Sequence, residues 1–337
     1  MTSIRRKIKR ARELGFSETR ALVGRKMRKS LGLLPTVPPT VYIELTNRCN
    51  LNCIMCDRES MIRKQGLIDM ALFQKVIDNA AEIRVPEVKL NRFGEPLLHP
   101  SLAEMIQYAK SKGIPRVYFT SNATLLTEAR AREIIEAGLD SITFSVDGAT
   151  AETYEKVRGI PDYSKIVGNI ERFAEMRSQL GRSRPNIVLN TILMKETEPE
   201  ILSVFKRWKP IVDKINILPV ASYGTVETLS SVKRDTGQVR FRPCHHLFDR
   251  LMVFWDGVVT VCCGDINGEL QIGRFPEERL ESLWKNDRMT RLRRLHRARR
   301  IDELPVCLAC DGVNEEVFKR MQQQREEAYS RAKEMGY

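Results

Sequence analysis

Short apolar runs alternate with longer amphipathic stretches between residues 41 and 220, and this alternation strongly restricts the possible folds. Six runs rich in β-branched and aromatic residues predict strands, at 41–46, 87–92, 116–121, 141–146, 186–194 and 214–220. Five stretches between them predict helices, at 69–83, 100–112, 127–137, 151–179 and 198–209. Apolar strands joined through helices form parallel sheets with right-handed crossovers, so we expect an α/β fold. Six successive units favour a partial (β/α)6, TIM-like barrel over a flat sheet.

The residues on either side of this alternation predict two further segments. The first is a basic helical arm that ends in a proline-rich linker, because consecutive prolines cannot continue a helix. The last carries a hairpin over 251–262 around the favoured turn pair Asp256-Gly257, an Arg-rich helix over 278–299 and a polar helix over 314–335. We therefore expect three segments, at 1–39, 40–240 and 241–337.

The net charge of +13 is concentrated at two places. Residues 1–35 hold eleven Lys or Arg and two Glu, and residues 288–300 hold seven Arg and no acidic residue. Such segments are often solvated helix faces, but they also attract acidic proteins, anionic membranes or nucleic acids. No nucleic-acid-binding motif is present, so no nucleic-acid partner is expected. No apolar run reaches the ~18–20 residues of a membrane span, and we expect a cytoplasmic protein.

The eight cysteines are clustered, which indicates metal ligation more than disulfide bonds. Cys49, Cys53 and Cys56 directly follow the first predicted strand, at the strand end where parallel βα barrels carry chemistry. Three thiolates from one loop can hold three irons of a 4Fe–4S cluster and leave the fourth iron open. A zinc site completed elsewhere, or a set of buried structural thiols, would also fit these residues.

The Cys-x3-Cys-x2-Cys spacing resembles the signature of the radical S-adenosylmethionine (SAM) enzyme superfamily, and the resemblance covers about residues 41–312. It implies that Cys49, Cys53 and Cys56 hold a 4Fe–4S cluster whose open iron binds the amino and carboxylate groups of SAM. In that family the reduced cluster cleaves SAM to methionine and a 5′-deoxyadenosyl radical, which takes a hydrogen atom from the substrate. The resemblance also implies the partial (β/α)6 barrel.

A second motif of the family is matched after the second predicted strand. Gly94 and Glu95 resemble the end of a Gly-Gly-Glu motif whose carboxylate meets the SAM amino group. An ordinary exposed Glu after a turn is the alternative. The chain departs from the family at Phe93, where the first glycine would stand, and at Met55, where an aromatic residue is frequent. Neither departure changes an iron ligand.

Four polar residues near strand ends complete the expected SAM site. Ser145 and Arg158 resemble the family residues that reach the ribose and carboxylate of SAM. Ser121 and Asn122 end the third predicted strand and face the same mouth of the barrel. Capping of loops is the alternative role for all four.

The later cysteines resemble the SPASM/Twitch extension of a subset of radical SAM enzymes. The full SPASM pattern continues with further cysteines, which are absent here, so the shorter Twitch version is expected. The resemblance implies an auxiliary 4Fe–4S cluster held by Cys244, Cys262, Cys307 and Cys310, with electron transfer as its role. A structural zinc ion would suit four cysteines equally well. Three roles are open for Cys263. It is a small hydrophobic residue that is only buried, it is the cluster ligand in place of Cys262, or it is a catalytic hydrogen-atom donor.

The four histidines add little to this pattern. His245 and His246 follow a predicted cluster ligand, where packing or hydrogen bonding is the first expectation and lining of the substrate cavity the second. His99 and His296 belong to no motif.

The resemblance implies a radical SAM oxidoreductase acting on a polar small molecule of sugar or aminocyclitol type, by dehydrogenation or by epimerisation. A maturase that modifies a ribosomally made peptide is the alternative. Reductive cleavage of SAM needs a low-potential electron donor such as flavodoxin or ferredoxin, and the Arg-rich helix is the candidate docking surface for it. A nucleic-acid-binding protein that carries a metal is the remaining, least favoured hypothesis.

Overall fold

The computed structural model describes residues 34–220, 240–308 and 310–337, so most of the expected basic arm lies outside the described residues. The strands are β1 (Thr40–Ile43), β2 (Glu87–Lys89), β3 (Arg116–Ser121), β4 (Ser141–Ser145), β5 (Asn186–Leu193), β6 (Lys214–Pro219), β7 (Arg250–Val253), β8 (Val258–Thr260) and β9 (Gly273–Arg274). The helices are α1 (Met70–Glu82), α2 (Leu102–Ser111), α3 (Glu128–Glu136), α4 (Ala151–Arg158), α5 (Tyr163–Gln179), α6 (Ile201–Trp208), α7 (Leu280–Leu283), α8 (Asp287–Arg297), α9 (Pro305–Leu308) and α10 (Glu315–Glu334). Among these described helices, none has the length and apolar character needed to cross a bilayer.

One sheet of nine strands organises the chain, in the order β6-β5-β4-β3-β2-β1-β7-β8-β9. The pairs from β1 to β6 are all parallel and follow chain order, which is the arrangement of a partial βα barrel. The sheet stays open, with β6 at one edge and β9 at the other. The α/β fold expected from the sequence is confirmed.

The two faces of the sheet differ in burial. Val41 and Phe119 are fully buried in the same core as the apolar faces of α1 and α2. Side chains alternate between the faces of a strand, so Tyr42, Lys89 and Tyr118 lie on the opposite face. These three are partners in register across β1, β2 and β3, and they are only partly buried. This second face is the inner side of the partial barrel.

Two predicted helices are each broken in the structure. The helix expected over 151–179 is α4 followed by α5, because Gly159 takes a left-handed conformation (φ 78°) and ends α4. The helix expected over 278–299 is α7 followed by α8, whose first turn is capped by the Asn286 side chain accepting a hydrogen bond from the Met289 N–H.

The hairpin expected over 251–262 is confirmed as β7 and β8, with Gly257 in the turn at φ 88°. The sequence did not predict that β7 pairs in parallel with β1, with Tyr42 opposite Met252. The hairpin therefore extends the barrel sheet, and the segments on both sides of residue 241 share one sheet and one hydrophobic core.

Candidate active site and cluster sites

The loop after β1 brings three thiols to the carboxyl end of the sheet. Within it the Cys56 N–H donates to the Cys53 carbonyl oxygen at 3.0 Å, and the Ile54 N–H donates to the Val157 carbonyl oxygen of α4 at 3.1 Å. Cys49, Cys53 and Cys56 are free thiols that are partly exposed. The loop is thus held in place by a neighbouring helix while its sulfurs remain accessible.

The chemistry of this donor set fits an iron–sulfur cluster. Burial raises the pKa of Cys49 to about 11 and also raises the pKa of Cys56. Negative charge on Cys53 contributes to the raised pKa of both thiols, so three thiolates on this loop repel one another. A group with positive metal ions relieves that repulsion and keeps the thiols deprotonated. Three thiols from one loop leave one iron of a 4Fe–4S cluster without a protein ligand.

Two of the expected SAM-site residues contact these sulfurs. Asn122 Nδ2 donates towards Cys49 Sγ at 4.0 Å, and Arg158 Nη1 donates to Cys53 Sγ at 3.6 Å. Both side chains are buried. Each offers N–H groups to a position where negative charge accumulates.

Glu95 is buried, so the alternative of an exposed Glu after a turn is wrong. Its carboxylate accepts hydrogen bonds from the Leu97 N–H at 3.1 Å, from Ser121 Oγ at 2.8 Å and from the Asn122 N–H at 2.8 Å. Burial raises the pKa of Glu95, and these hydrogen bonds oppose the shift. An ionised carboxylate has about four acceptor positions, so one remains for a further donor.

A glycine is required immediately before Glu95. A Cβ atom on Gly94 would lie 2.3 Å from the Thr46 carbonyl oxygen and 2.5 Å from the Arg48 carbonyl oxygen. The Glu95 N–H also donates to the Arg48 carbonyl oxygen, at 2.9 Å. Gly94 therefore allows the segment after β2 to approach the cysteine loop closely.

The motif after β4 supplies an acidic partner that the sequence analysis did not assign. Asp147 is fully buried, forms an ion pair with Arg158 and accepts a hydrogen bond from the Ile192 N–H at 2.6 Å. This pair holds the Arg158 guanidinium beside Cys53. Ser145 is partly exposed on the inner face, in register with Asn190 of β5, and no hydrogen bond of Ser145 to the thiols is seen.

The other five cysteines form a second group. Burial raises the pKa of Cys244 to about 11 and those of Cys307 and Cys310 to about 12. Negative charge on Cys244 raises the pKa of Cys307, and negative charge on Cys263 raises that of Cys310. The expected auxiliary ligands are therefore within electrostatic reach of one another, although they come from three separate parts of the chain.

Cys262 and Cys263 share a hydrogen bond. It raises the pKa of Cys262 and lowers the pKa of Cys263, which His246 and Arg92 lower further. The Gly264 N–H donates to Cys262 Sγ at 3.2 Å. Either sulfur can serve as a ligand, and the two remain alternatives.

The described side chains nowhere place three His, Cys, Asp or Glu groups around a space that a single metal ion would fill.

His296 belongs to the second group, although no sequence motif includes it. It is buried, and its Nδ1 accepts a hydrogen bond from the Cys244 N–H at 3.2 Å. Its Nε2 lies 3.5 Å from Cys307 Sγ. No spacing rule links residue 296 to Cys244, so only the fold reveals this contact. His99, in contrast, bonds to backbone groups of Ile68 and Ser101 and is structural.

Cationic side chains line the inner face between the two thiol groups. Arg92 follows β2, and its charge acts on Cys263 of the second group and on Asp57, which follows Cys56 of the first. Its Nε and Nη2 atoms are shielded from solvent and have no hydrogen-bond partner. Burial, together with the charges of Arg92 and Arg250, lowers the pKa of Lys89 to about 7.

Two family models match most of the described chain. The model of the radical SAM superfamily matches residues 43–207, and that of SPASM, an iron–sulfur cluster-binding domain, matches residues 244–311. The tungsten-containing aldehyde ferredoxin oxidoreductase cofactor-modifying protein of Pyrococcus furiosus is 30% identical over 164 residues, which are 48% of this chain and 45% of that protein. The chain spans about half the length of the curated relatives it matches first.

Solved structures share the fold at low sequence identity. BtrN in complex with AdoMet and 2-DOIA superposes with a TM-score of 0.56 at 16% identity, over 81% of this chain and 93% of that chain. SuiB of Streptococcus suis bound to the precursor peptide SuiA gives a TM-score of 0.63 at 12% identity, over 82% of this chain and 70% of that chain. At these identities the likeness concerns the fold alone.

Proposed function

Because this chain belongs to the radical SAM superfamily and carries a SPASM-type iron–sulfur domain, we propose that it removes a hydrogen atom from a C–H bond of a polar small molecule of sugar or aminocyclitol type. The family membership makes it a SAM-binding enzyme with a 4Fe–4S cluster and auxiliary iron–sulfur ligation. The substrate and the outcome, dehydrogenation or epimerisation, belong to the proposal.

The proposed ligands of the first cluster are Cys49, Cys53 and Cys56. The second cluster is assigned to Cys244, Cys262, Cys307 and Cys310, with Cys263 as the alternative to Cys262. When bound, the clusters supply one-electron chemistry, which cleaves SAM to methionine and a 5′-deoxyadenosyl radical and can remove one electron from a substrate radical.

The chain's own residues position SAM. The Glu95 carboxylate, held by Ser121 and Asn122, offers its remaining acceptor position to the SAM ammonium group. Arg158, fixed by Asp147, presents N–H groups beside Cys53, where the SAM carboxylate needs a donor. Ser145, on the inner face at the end of β4, is the proposed contact to the ribose.

Dehydrogenation and epimerisation can both be written as balanced reactions of a secondary alcohol. In dehydrogenation, the C–H hydrogen atom goes to the 5′-deoxyadenosyl radical and forms 5′-deoxyadenosine. The substrate then loses one electron and the O–H proton, which leaves a carbonyl group. In epimerisation, a hydrogen atom returns to the carbon from the opposite face. The Cys263 thiol is the proposed catalytic donor, and the thiyl radical that remains takes one electron from the low-potential donor and one proton from solvent.

The polar inner face is the observation that supports a polar substrate. Thr120, Thr143, Asn190 and Asn216 are all partly exposed on the side of the sheet that the helices leave open. Asn216 Nδ2 donates to Asn190 Oδ1 at 2.9 Å, which leaves further amide groups for hydroxyl groups of a ligand. A lipid would leave these polar groups without partners, at a cost of about 1–3 kcal/mol each.

The test is anaerobic reconstitution with iron and sulfide, followed by iron counting and a dithionite-driven assay for 5′-deoxyadenosine. The wild type should bind about eight irons, and either the Cys49→Ala or the Cys307→Ala variant about four. Only Cys49→Ala should lose SAM cleavage completely. A wild type without iron, or without 5′-deoxyadenosine formation, would contradict the proposal.

A peptide is the second candidate substrate. Two of the similar folds hold a peptide, SuiB with its precursor SuiA and anSMEcpe with the Cp18Cys peptide. The reconstituted enzyme is incubated separately with peptide and polyol libraries. Substrate-dependent formation of 5′-deoxyadenosine, together with mass loss of two hydrogens or uptake of one deuteron from D2O, distinguishes the two classes.

A further inference from the structure

The inner face carries two cations, Lys89 and Arg92, that form no direct ion pair among the described residues. Arg92 stacks on the Phe93 ring at 3.6 Å, and its Nε and Nη2 atoms have no hydrogen-bond partner although both are shielded from solvent. Lys89 lies over the Tyr42 ring at 5.1 Å and forms no ion pair among the described residues. Unpaired buried cations cost free energy unless an anion or acceptor satisfies them.

The neighbouring charged residue is already paired. Arg250 donates from Nε to Asp249 Oδ1 at 2.6 Å and from Nη1 to the Tyr42 hydroxyl at 2.8 Å. Glu44 directly follows β1. Its carboxylate accepts two hydrogen bonds from the Arg63 guanidinium, of 2.9 and 3.0 Å. Neither acidic group is therefore free to neutralise Lys89 or Arg92.

The surroundings of Lys89 indicate that its side chain lies inside the partial barrel and not on the outer surface. Its side chain contacts solvent, yet burial among protein atoms is the main cause of its lowered pKa. A group on the outer surface would not be desolvated in this way. Lys89 therefore lines the interior of the partial barrel, on the same face as the polar side chains assigned to the substrate.

We propose that Lys89 and Arg92 bind an oxyanion of the substrate, a carboxylate or a phosphate, inside the partial barrel. This inference rests on the proposed function and narrows it: an acidic, hydroxylated molecule fits, and a cationic aminocyclitol does not. The planar guanidinium of Arg92 suits two oxygens of one group, and the Lys89 ammonium suits a point contact.

The first arm of the test uses inorganic sulfate, whose charge is constant near neutral pH, with the cluster-loaded protein and isothermal titration calorimetry. The wild type should bind sulfate, and Lys89→Met and Arg92→Gln should each weaken binding about tenfold or more, as expected for a charge-assisted hydrogen bond. Arg92→Lys should recover part of the affinity. The surface variant Lys112→Met should bind like the wild type. No sulfate binding, or equal loss in Lys112→Met, would overturn the proposal.

The second arm uses the wild type alone with glucose, glucosamine, glucuronate and glucose 6-phosphate. The two acids should bind more tightly than glucose, and glucosamine more weakly; the order of the two acids separates a carboxylate from a phosphate. Tighter binding of glucosamine would overturn the proposal. Formation of 5′-deoxyadenosine by the wild type is scored separately, so failure of the proposed function is distinguishable from failure of the oxyanion site.

A second, independent observation concerns His296. Its Nδ1 accepts the hydrogen bond of the Cys244 N–H, so in the neutral ring the proton sits on Nε2. Nε2 lies 3.5 Å from Cys307 Sγ and therefore donates to that sulfur. The contact is buried, and no sequence motif contains it.

We infer that His296 raises the reduction potential of a cluster ligated by Cys307. Hydrogen bonds to the sulfurs of an iron–sulfur cluster tune its potential, and donors favour the more negative, reduced state. His296 is thus a positioning residue that acts through Cys307. The Gln side chain can reproduce both contacts, because its amide has one acceptor and one donor end.

The test is a redox titration of the holoenzyme followed by electron paramagnetic resonance, in which the signal that SAM leaves unchanged belongs to the second cluster. His296→Phe should lower its potential, and His296→Gln should keep it near the wild-type value. Equal potentials in the wild type and His296→Phe, or equal shifts in both variants, would overturn the inference. Should His296→Phe lose the cluster, the wild type decides: with 15N-labelled histidine its reduced second cluster should show a hyperfine coupling to 15N that is absent in His296→Gln, and a wild type without this coupling would overturn the inference.

Discussion

On the inner face, an unpaired cationic side chain should lower the thermal stability of the free protein while it favours anion binding. Lys89 has no ion-pair partner, so Lys89→Met should raise the midpoint of thermal unfolding by a few degrees, roughly the effect of 1 kcal/mol. Lys110→Met is the matched control, because Lys110 Nζ is paired with Asp140 at 2.6 Å and donates to the Ile114 and Pro115 carbonyl oxygens at 3.1 Å. That variant should lose stability.

Anaerobic differential scanning calorimetry in a buffer without oxyanions measures both midpoints. A loss of stability in Lys89→Met as large as that in Lys110→Met would show that Lys89 is satisfied within the protein.

The same lysine predicts a pH dependence of anion binding. Burial lowers the pKa of Lys89 to about 7, so its ammonium is present below pH 7 and is lost above it. Sulfate affinity should therefore fall as the pH rises from 6 to 8. The groups that face Lys89 are Tyr42, Arg92, Arg250 and Cys263, and the two arginines stay charged throughout this range. Calorimetric titrations at several pH values test this, and Lys89→Met should remove the slope; a wild-type slope of the opposite sign would contradict it.

At the scale of elements, α8 divides its arginines between two roles. Arg293 is buried, donates to the Leu247 carbonyl oxygen at 2.9 Å and to the Trp284 carbonyl oxygen at 2.7 Å, and stacks on the Trp284 ring. Arg288 and Arg294 are exposed. Only the exposed arginines can attract an acidic electron donor, so the expected docking surface excludes Arg293.

Replacing Arg288 and Arg294 by Gln should lower the flavodoxin-driven rate of 5′-deoxyadenosine formation roughly tenfold at low salt and leave the dithionite-driven rate unchanged. Arg293→Gln should instead lower stability, whichever reductant is used. Arg132→Gln, on the exposed side of α3, is the control and should change neither rate. A double variant that loses both rates equally would remove the docking role.

The elements themselves were largely predictable, because strand and helix periodicities are local. All six barrel strands overlap their predicted ranges. The break between α4 and α5 depends on Gly159 adopting a positive φ, which Gly permits but does not require. The three-cysteine loop and Glu95 were found through motifs, whereas Lys89 and His296 were missed, because their partners are close in space and distant in the chain.

At the scale of the whole molecule, the sheet and the hydrophobic core both continue across the segment boundary expected near residue 241. Thr40 to Ile43 of β1 pair with Arg250 to Val253 of β7, although about 210 residues separate them. Local sequence patterns carry no information on such a pairing, so the sequence could predict the hairpin without predicting what it pairs with. Trp208 of α6 and Trp284 after α7 are both fully buried in the same hydrophobic core.

A shared sheet and core predict cooperative unfolding of the cluster-free chain. The three tryptophans are Trp208, Trp255 and Trp284. Replacing two of them by Phe leaves one buried fluorescent reporter, which is Trp208 of the barrel in one variant and Trp284 of the C-terminal part in the other. Because removal of β7 would expose the hydrogen-bonding edge of β1, the two parts should unfold together, and both reporters should give the same midpoint in urea. A lower midpoint at Trp284 alone would mean that the segment 241–337 opens as an independent unit, and that the auxiliary site can be lost while the barrel stays folded.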